Sequence, residues 1–478
     1  MQHMIVLPVT LPPSAAIVDL RSGQRWAGQD IEAAARARGD ILWRNGISRG
    51  DRCVIAHAGA ADALLWIFAA WATGLTAIVV NPAITAFERA NIVARAQPSI
   101  WIGSDGPEVL RTGHSGHRQT PRPLGPDDPA LVLMTSGTTG VPKGITHTLR
   151  SLHARIALNL AAIGPAPLDE SLCVLPVFFG HGLIGNCLTP LAAGGRLHLW
   201  TSPTAAELVG FATVLSDLGI TFMSSVPAFW KLAMRMSAPP PRPAGRIHVG
   251  SSPLSVPHWE AIAGWAGTRD VWNMFGMTET ANWIGGAALD EACGRDGYVG
   301  RPWGGRIAVL DGDGQVRDRG RGEALVLSPS IMSGYLDQPE QTDAAFAGPW
   351  FRTGDIGEID DDGGLTLVGR IKFEINRAGI KIQAEEIDMM LERHPDVAEA
   401  CAFGLPDPVS GEAVAAAIVP VAGRHLDLGA LRAWCHSQAR AEAVPVRLFV
   451  VSEIPRNERG KVVRDKVRVL VAGSGGAA

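Results

Sequence analysis

Cysteine and formal charge are both scarce in this chain, and each scarcity removes classes of function. The 478 residues include 6 cysteines and 19% charged residues, with a net charge of −4. The cysteines are scattered, which argues against a zinc site or a disulfide framework and favours a reducing, cytoplasmic setting. The weak acidic balance gives no electrostatic basis for binding nucleic acid or an anionic membrane.

Targeting and membrane signals are also missing from the pattern. Residues 1–13 contain no basic segment followed by an apolar core, so we expect no signal peptide. An apolar run over residues 60–80 is long enough to span a bilayer. Asp62 near its start, Gly74 in the middle and the β-branched residues 78–80 favour a buried helix, a turn and a buried strand instead.

The order of apolar segments predicts the fold class. Helical and strand patterns alternate through much of the first 296 residues, which predicts an α/β protein with a mostly parallel sheet covered on both faces. From residue 297 the pattern changes to short strands with tight turns at 311–314 and 360–364, which predicts a β-rich subdomain. Ligands of such α/β proteins bind at the carboxyl ends of the strands.

Residues 131–147, LVLMTSGTTGVPKGITH, predict a strand that runs into a phosphate-binding loop. The glycines let backbone N–H groups turn toward an anion, the hydroxyls add donors, and Lys143 adds a positive charge. The spacing excludes a Walker A loop, because Lys143 precedes Gly144 and no Ser or Thr follows. The candidate phosphate ligands are Thr135, Ser136, Gly137, Thr138, Thr139, Gly140 and Lys143.

This stretch resembles the phosphate loop of the adenylate-forming superfamily, which contains acyl-CoA and aryl-CoA ligases, peptide-synthetase adenylation domains and luciferases. Further segments resemble that family's elements in the family's order, from about residue 20 to 466. They are Phe275-Gly276-Met277-Thr278-Glu279, Arg352-Thr353-Gly354-Asp355, Gly369-Arg370 and the element from Pro455 to Arg464.

The resemblance implies a domain organisation. A large N-terminal adenylation domain is expected over residues 1–369, including the β-rich subdomain at about 297–369. A small, mobile α+β C-terminal domain is expected over residues 370–478. A hinge near Lys372 would let this domain swing between two catalytic orientations.

The resemblance also implies roles for named residues. Glu279 and Thr138 are expected to hold Mg²⁺, which prefers hard oxygen ligands. Thr278, Glu279, Lys143 and Lys461 form the expected catalytic set, in which Lys461 would offset the repulsion between the substrate carboxylate and the α-phosphate. The other expected ATP contacts are Gly250, Ser251, Ser252, Pro253, Asn273, Met274, Phe275, Gly276, Asp355 and Arg370.

The acid-binding pocket is expected after the strand that follows the phosphate loop. Amino-acid-activating relatives carry an aspartate at the position aligned with Phe179, and burying an ammonium without such a partner would cost several kcal/mol. The pattern therefore favours an aromatic, cyclic or medium aliphatic acid over an α-amino acid. The candidate pocket residues are Phe178, Phe179, His181, Ser225, Val226, Met277 and Asn282. For His181 the alternative is a packing role without substrate contact. Trp272 and Trp283 are expected to lie in the core and not to face the ligand.

The predicted function is that of an ATP-dependent, AMP-forming acid ligase. The acid would become an acyl-adenylate, and CoA is the acceptor most common in the superfamily. Asn376 and Ala384 depart from the family pattern, where lysine and proline are usual, so the acceptor stays open. The alternatives are an amine, a carrier-protein pantetheine, or a degenerate nucleotide-binding regulator.

Overall fold

The computed structural model describes residues 11–47, 49–110, 122–135, 143–292, 294–457 and 460–473. Two helix-flanked sheets make up most of the chain before residue 297, an antiparallel sheet follows, and a smaller sheet lies near the C-terminus. The predicted α/β class, with a large N-terminal and a smaller C-terminal part, is confirmed.

The first sheet has seven strands, of which the four central ones are parallel. In spatial order the strands are Gly334–Tyr335, Lys143–Thr148, Pro129–Thr135, Thr76–Val79, Arg52–Ala56, Ile100–Gly103 and Gly106–Val109. The helices that accompany it in sequence are Gly28–Arg44, Ala60–Ala72 and Ala86–Ala96.

The apolar run over residues 60–80 forms the predicted helix, turn and strand. Nearly every residue of the Ala60–Ala72 helix is buried, and the Thr76–Val79 strand is buried throughout. Burial on all sides explains why the helix lacks a polar face. Across the described parts of the chain, every helix is too short or too polar to span a bilayer.

The second sheet has eight strands and carries the candidate site. In spatial order they are Asn282–Ala288, Val271–Met277, Arg246–Gly250, Phe222–Ser225, Glu170–Cys173, Arg196–Leu199, Ala16–Asp19 and Arg25–Ala27. The helices of this region are Leu149–Ile163, Thr189–Ala193, Ala205–Leu208, Phe211–Asp217, Pro227–Met236 and Val256–Ala266, with a π-helix at His181–Leu188 and 3₁₀ turns at Ala166–Leu168, Thr278–Thr280 and Leu289–Glu291.

The β-rich subdomain predicted from residue 297 is an antiparallel sheet. Its strands are Tyr298–Gly300, Leu365–Arg370, Trp350–Ile359, Gly320–Leu327, Arg306–Leu310 and Val316–Arg317, with Phe346–Ala347 paired to Trp350–Ile359. A short helix, Pro339–Ala344, precedes Phe346.

The C-terminal part is built on a five-stranded sheet. Its strands are Ile380–Gln383, Glu374–Arg377, Gly411–Pro420, Val397–Asp407 and Arg447–Val450. Its helices are Ala384–Glu392, Leu428–Gln438 and Arg464–Gly473, with 3₁₀ turns at Ile371–Phe373 and Ala441–Ala443.

Three local features complete the fold. The strand Gly106–Val109 forms a tight hairpin with Ile100–Gly103, in which Gly103 pairs with Gly106. The helices Ala205–Leu208 and Phe211–Asp217 are short and are separated at Val209 and Gly210. A strand, Lys143–Thr148, separates the phosphate loop from the next helix and pairs antiparallel with Pro129–Thr135.

Candidate active site

Three neighbouring parallel strands bring the predicted site segments to one edge of the second sheet. Ser225 pairs in register with Val249, and Gly250 pairs with Met274 on the next strand. The strand ends at Ser225, Gly250 and Met277 therefore lie side by side, at the edge where α/β proteins bind ligands. The predicted Ser252 and Pro253 follow in the loop after Gly250.

A buried network fixes the backbone at Thr278. The Nε2 atom of His147 donates to the Thr278 carbonyl at 2.7 Å. Ser330 Oγ donates to the Thr280 carbonyl at 3.0 Å and accepts from the guanidinium of the buried Arg155. Burial lowers the pKa of His147 to about 4, so its imidazole is neutral near pH 7. The network holds the Thr278–Thr280 turn in a single position.

Glu279 is linked to the end of the phosphate loop through Tyr335. The Tyr335 hydroxyl donates to Glu279 Oε1 at 3.3 Å, and the Lys143 ammonium lies 5.1 Å from the centre of the Tyr335 ring. The Glu279 carbonyl accepts from the Met332 amide at 2.7 Å. The structure thus gathers the predicted magnesium carboxylate and the predicted phosphate-binding lysine around one tyrosine.

The buried Asp355 and the partly exposed Arg370 form an ion pair on adjacent strands. Arg370 Nε lies 2.6 Å from Asp355 Oδ1, and the two residues are register partners. Burial raises the pKa of Asp355, while the charges of Arg370 and Lys461 act in the opposite direction. The pKa of Arg370 is raised mainly by Asp355, and Glu279 also contributes. The ion pair therefore lies within electrostatic reach of both Glu279 and Lys461.

His181 opens the π-helix and bridges two serines. Its Nε2 atom lies 2.6 Å from Ser224 Oγ, and its Nδ1 atom lies 2.8 Å from Ser251 Oγ. Burial, with a smaller contribution from Lys461, lowers the pKa of His181 to about 3. A neutral imidazole has one donor and one acceptor nitrogen, so His181 can hold both serines in fixed orientations.

Lys461 reaches the site from the C-terminal part of the chain. Its charge influences both His181, on the π-helix, and Asp355, on the antiparallel sheet of the β-rich subdomain. The preceding Gly460 packs against Val226 and Ala228, since a Cβ on this glycine would lie 3.8 Å and 3.4 Å from their side chains. Lys461 is thus within electrostatic reach of both the predicted acid pocket and the predicted ribose carboxylate.

The side chain of Ser225 lies on the other face of the sheet from Ser224. Ser225 Oγ accepts from Trp230 Nε1 at 2.7 Å and donates to the His248 carbonyl at 3.3 Å. Successive side chains of a strand point to opposite faces, so Ser224, and not Ser225, reaches His181. The sequence shows two consecutive serines and does not reveal which of them faces His181, because this depends on the register of the strand.

The structure also shows where the other predicted residues lie. The rings of Phe178 and Phe179 pack edge to face 4.4 Å apart and are half-buried. Asn273 donates through its amide to the Tyr298 carbonyl at 2.9 Å, and Phe275 is buried in an apolar cluster, against which Met277 packs. Asn282 is 5% exposed and lies against the π-helix, because a Cβ on Gly185 would collide with its Nδ2 atom.

Part of the predicted phosphate loop lies outside the described residues. This concerns Ser136, Gly137, Thr138, Thr139 and Gly140, and the side chain of Thr135. Both flanks of the loop are described: Thr135 and Lys143 are register partners on adjacent strands.

The donor set fits a magnesium ion bound together with ATP phosphates. Glu279 offers one carboxylate, and Mg²⁺ commonly takes one or two carboxylates plus substrate phosphates. Among the described residues, no three His, Cys, Asp or Glu side chains are grouped so that they could hold a metal ion by themselves.

Comparison with known proteins decides the family. Residues 10–336 match the AMP-binding enzyme family, and residues 386–461 match the AMP-binding enzyme C-terminal domain. The chain belongs to the AMP-binding enzyme family. It is thereby a member of the adenylate-forming superfamily, as its motifs predict.

Similar AMP-binding enzymes include CoA ligases and an amide synthetase. A sulfoacetate–CoA ligase of Cupriavidus necator is 36% identical over 75% of this chain and 70% of the relative. A probable CoA ligase of Humulus lupulus is 34% identical over 71% of this chain and 65% of the relative, so the match spans less than two thirds of that protein. The amide bond synthetase McbA of Marinactinospora thermotolerans has a similar structure, with a TM-score of 0.82 and 26% identity over 95% of this chain and 96% of that chain.

In this AMP-binding enzyme, ion pairs connect the C-terminal part to the rest of the chain. Lys231 Nζ lies 3.2 Å from Glu392 Oε1, and Arg321 lies 3.7 Å from Glu386. Arg393 also pairs with Asp296. Each pair has at least one partly exposed partner, although the Asp296 side chain is buried, and pairs open to solvent contribute little stability individually.

Proposed function

We propose that this enzyme activates a carboxylic acid with ATP and transfers the acyl group to the thiol of CoA. A carboxylate oxygen of the acid would attack the α-phosphorus, and the bond from that phosphorus to the pyrophosphate oxygen would break. The products of this step are an acyl-adenylate and pyrophosphate. The thiol sulfur would then attack the acyl carbon and release AMP. The observation that carries the proposal is that the charge of Lys461 acts on both His181 and Asp355.

The nucleotide would contact the charged side of the site. The two carboxylate oxygens of Asp355 suit the vicinal hydroxyls of ribose, and the charge of Arg370 opposes the rise in the pKa of this buried carboxylate. Lys143 and Thr278 would contact phosphate oxygens, together with the hydroxyls of the phosphate loop. A magnesium ion held by Glu279 and Thr138 would neutralise phosphate charge.

Lys461 would supply the main electrostatic contribution to the first step. The attacking carboxylate and the α-phosphate are both anionic, and a cation between them stabilises the crowded transition state. The charge of Lys461 acts on a residue of the proposed acid side and on a residue of the proposed ribose side, which supports this role. The neutral His181 would orient Ser224 and Ser251 without adding a competing charge.

The acid would not be an α-amino acid, because the pocket offers no carboxylate at Phe179 to pair with an ammonium. The aromatic, cyclic or medium aliphatic class remains our proposal for the acid. The C-terminal part, with its hinge near Lys372, would have to turn away before the acceptor enters.

CoA is the acceptor that the sequence relatives favour, since those described above are CoA ligases. An amine is the second candidate, for which two observations speak. One is the structural similarity to an amide bond synthetase. The other is the neutral Asn376, whose Oδ1 accepts from the Gly379 amide at 2.9 Å in a loop where the superfamily usually carries a lysine.

Mass spectrometry of products tests the proposal. The enzyme would be incubated with Mg-ATP and a panel of acids, with CoA, with an amine mixture, or with neither. We expect pyrophosphate and acyl-adenylate without an acceptor, and acyl-CoA with CoA. An amide product in place of the thioester would favour the second candidate. ATP turnover without an acyl product would refute the ligase and favour a nucleotide-binding regulator.

A further inference from the structure

Buried polar groups that have no hydrogen-bond partner in the described part of the chain lie next to His181, on the face of the second sheet that carries Ser224. Ser224, His248 and Trp272 are register partners on three adjacent strands, so their side chains point to the same side. On that side the ring centres of His248 and Trp283 are 4.8 Å apart, and those of His181 and Trp283 are 5.6 Å apart. His181, Trp283 and His248 thus form a continuous row that leads inward from the site.

Four nitrogens of this region have no hydrogen-bond partner among the described residues. They are both ring nitrogens of His248, the indole Nε1 of Trp283 and the amide Nδ2 of Asn282. His248 is 0% exposed, Trp283 is 2% exposed and Asn282 is 5% exposed. A buried donor without a partner is costly, and native proteins leave few of them. Several in one place indicate a site that a ligand completes.

The backbone fixes the direction of the Asn282 amide. Ala281 and Asn282 have φ values of 59° and 125°, in the region that L-residues rarely adopt. The turn is held by Thr280 Oγ1, which donates to the Asn282 carbonyl at 2.8 Å. On the π-helix, Gly185 leaves space for this amide and for the Trp283 ring, whose Cη2 would lie 2.8 Å from a Cβ at that position.

We propose that Asn282, Trp283 and His248 form the inner end of the acid pocket and bind a neutral oxygen of the acid, such as a hydroxyl, keto or ether oxygen. The three side chains offer mostly donors: two N–H groups on the amide, one on the indole and one on a neutral imidazole. This inference rests on the proposed function and specifies that the activated acid carries a neutral oxygen substituent.

The charge balance of the region selects a neutral oxygen over a second carboxylate. His248 is neutral, because burial, followed by the charge of Arg246, holds its pKa well below the usual value. Arg246 is already paired with Asp270 at 3.0 Å. A carboxylate placed against the three donors would therefore be buried without a counter-ion, which is unfavourable.

Matched pairs of acids test the proposal through kcat/KM for pyrophosphate release. The pairs are 3-hydroxybutyrate with 3-methylbutyrate, 4-oxopentanoate with 4-methylpentanoate, and 4-methoxybenzoate with 4-ethylbenzoate; succinate is the diacid probe. In at least one pair we expect the parent enzyme to prefer the oxygen-bearing acid by about tenfold or more. Equal use of both members in every pair, or a preference for succinate over all of them, would overturn the proposal. The succinate outcome would implicate the buried Arg155, whose Nη1 has no partner among the described residues.

Two variants remove donors while keeping shape. His248→Phe keeps an aromatic ring against Trp283, and Asn282→Asp keeps a residue type that tolerates positive φ. In both variants the ratio of kcat/KM between the oxygen-bearing acid and its matched acid should fall to about twofold or less. The control Trp272→Phe should keep the parent preference, because the Trp272 indole already donates to Asp270 at 2.6 Å. An unchanged preference in both donor variants would contradict the assignment, even if every protein still forms adenylates and the proposed function stands.

The thermal midpoint of the ligand-free enzyme gives a second readout that needs no substrate. If the nitrogens of His248 await a ligand, replacing them by carbon removes an unfavourable burial, and His248→Phe should melt at the parent temperature or above it. A purely structural histidine would make the variant melt several degrees lower, and that result would also overturn the proposal.

Discussion

The two halves of the proposed site use different chemistry. The proposed nucleotide side is built from formal charges: Asp355 pairs with Arg370, and Glu279 and Lys143 meet around Tyr335. The proposed acid side is built from neutral groups, with His181 bridging two serines. This division would let one pocket hold a polyanion beside an uncharged acyl chain. Substitutions on the charged side should therefore affect ATP, and those on the neutral side should affect the choice of acid.

The largest effect is expected at Lys461, the residue that acts on both sides. Lys461→Ala should lower the rate of adenylate formation by about 10²-fold or more, because one preorganised charge is lost from the transition state. The measurement is pyrophosphate release under saturating substrates. Lys466→Ala, at an exposed position of the same segment, is the control and should keep the parent rate. A parent rate in Lys461→Ala would refute its role.

Asp355→Asn tests whether the charged side recognises the nucleotide. The variant loses a carboxylate oxygen for ribose and leaves Arg370 unpaired, so the KM for ATP should rise by about tenfold to a hundredfold. The KM for the acid should stay within about twofold of the parent value, because Asp355 belongs to the charged side and not to the neutral side. The exposed Asp361→Asn is the matched control. Equal increases in both KM values would mean that the two sides are not separate.

Glu279→Gln should weaken the use of magnesium. An amide is a poorer ligand for Mg²⁺ than a carboxylate, and we expect the Mg²⁺ concentration for half-maximal rate to rise about tenfold. Titration of pyrophosphate release with MgCl₂ measures this value, with the exposed Glu291→Gln as control. If the magnesium curve of Glu279→Gln overlays that of the parent, Glu279 does not bind the metal.

The smallest effect concerns the neutral histidines, through stability. His147 has a pKa lowered from 6.5 to about 4, so the fold excludes a proton that the unfolded chain binds. The contribution of His147 to the free energy of unfolding should therefore be fully present above pH 6.5. It should decrease by about 2–3 kcal/mol as the pH falls toward 4. Urea unfolding at about pH 7.5 and about pH 4.5 should show a smaller fall in His147→Gln than in the parent. The exposed His436→Gln should behave as the parent.

The sequence predicts the charged side of the site better than the neutral side. The residue types in the motifs around Lys143, Glu279, Asp355 and Lys461 already indicate contacts with phosphate, metal or ribose. In addition, the alternation of helices and strands predicts that the carboxyl ends of the strands lie at one edge of a sheet. The choice of Ser224 over Ser225 depends on strand register, which only the paired sheet reveals.

The inner end of the acid pocket could not be predicted for a different reason. His248 and Trp283 lie in apolar stretches of sequence and have the pattern of core residues. Their missing hydrogen bonds depend on which side chains pack around them, and the sequence does not show this. A histidine inside a buried strand is the one signal that could have drawn attention to this region.

The ion pairs between the C-terminal part and the rest of the chain have a practical consequence. Lys231–Glu392, Arg321–Glu386 and Arg393–Asp296 are solvent-accessible contacts, so dissolved salt competes with each of them. Under the proposed function, a high ionic strength would then lower the rate of adenylate formation. Concentrated salt would weaken the contacts that hold the C-terminal part, which carries Lys461, against the rest of the chain, while the acid and nucleotide pockets would stay intact.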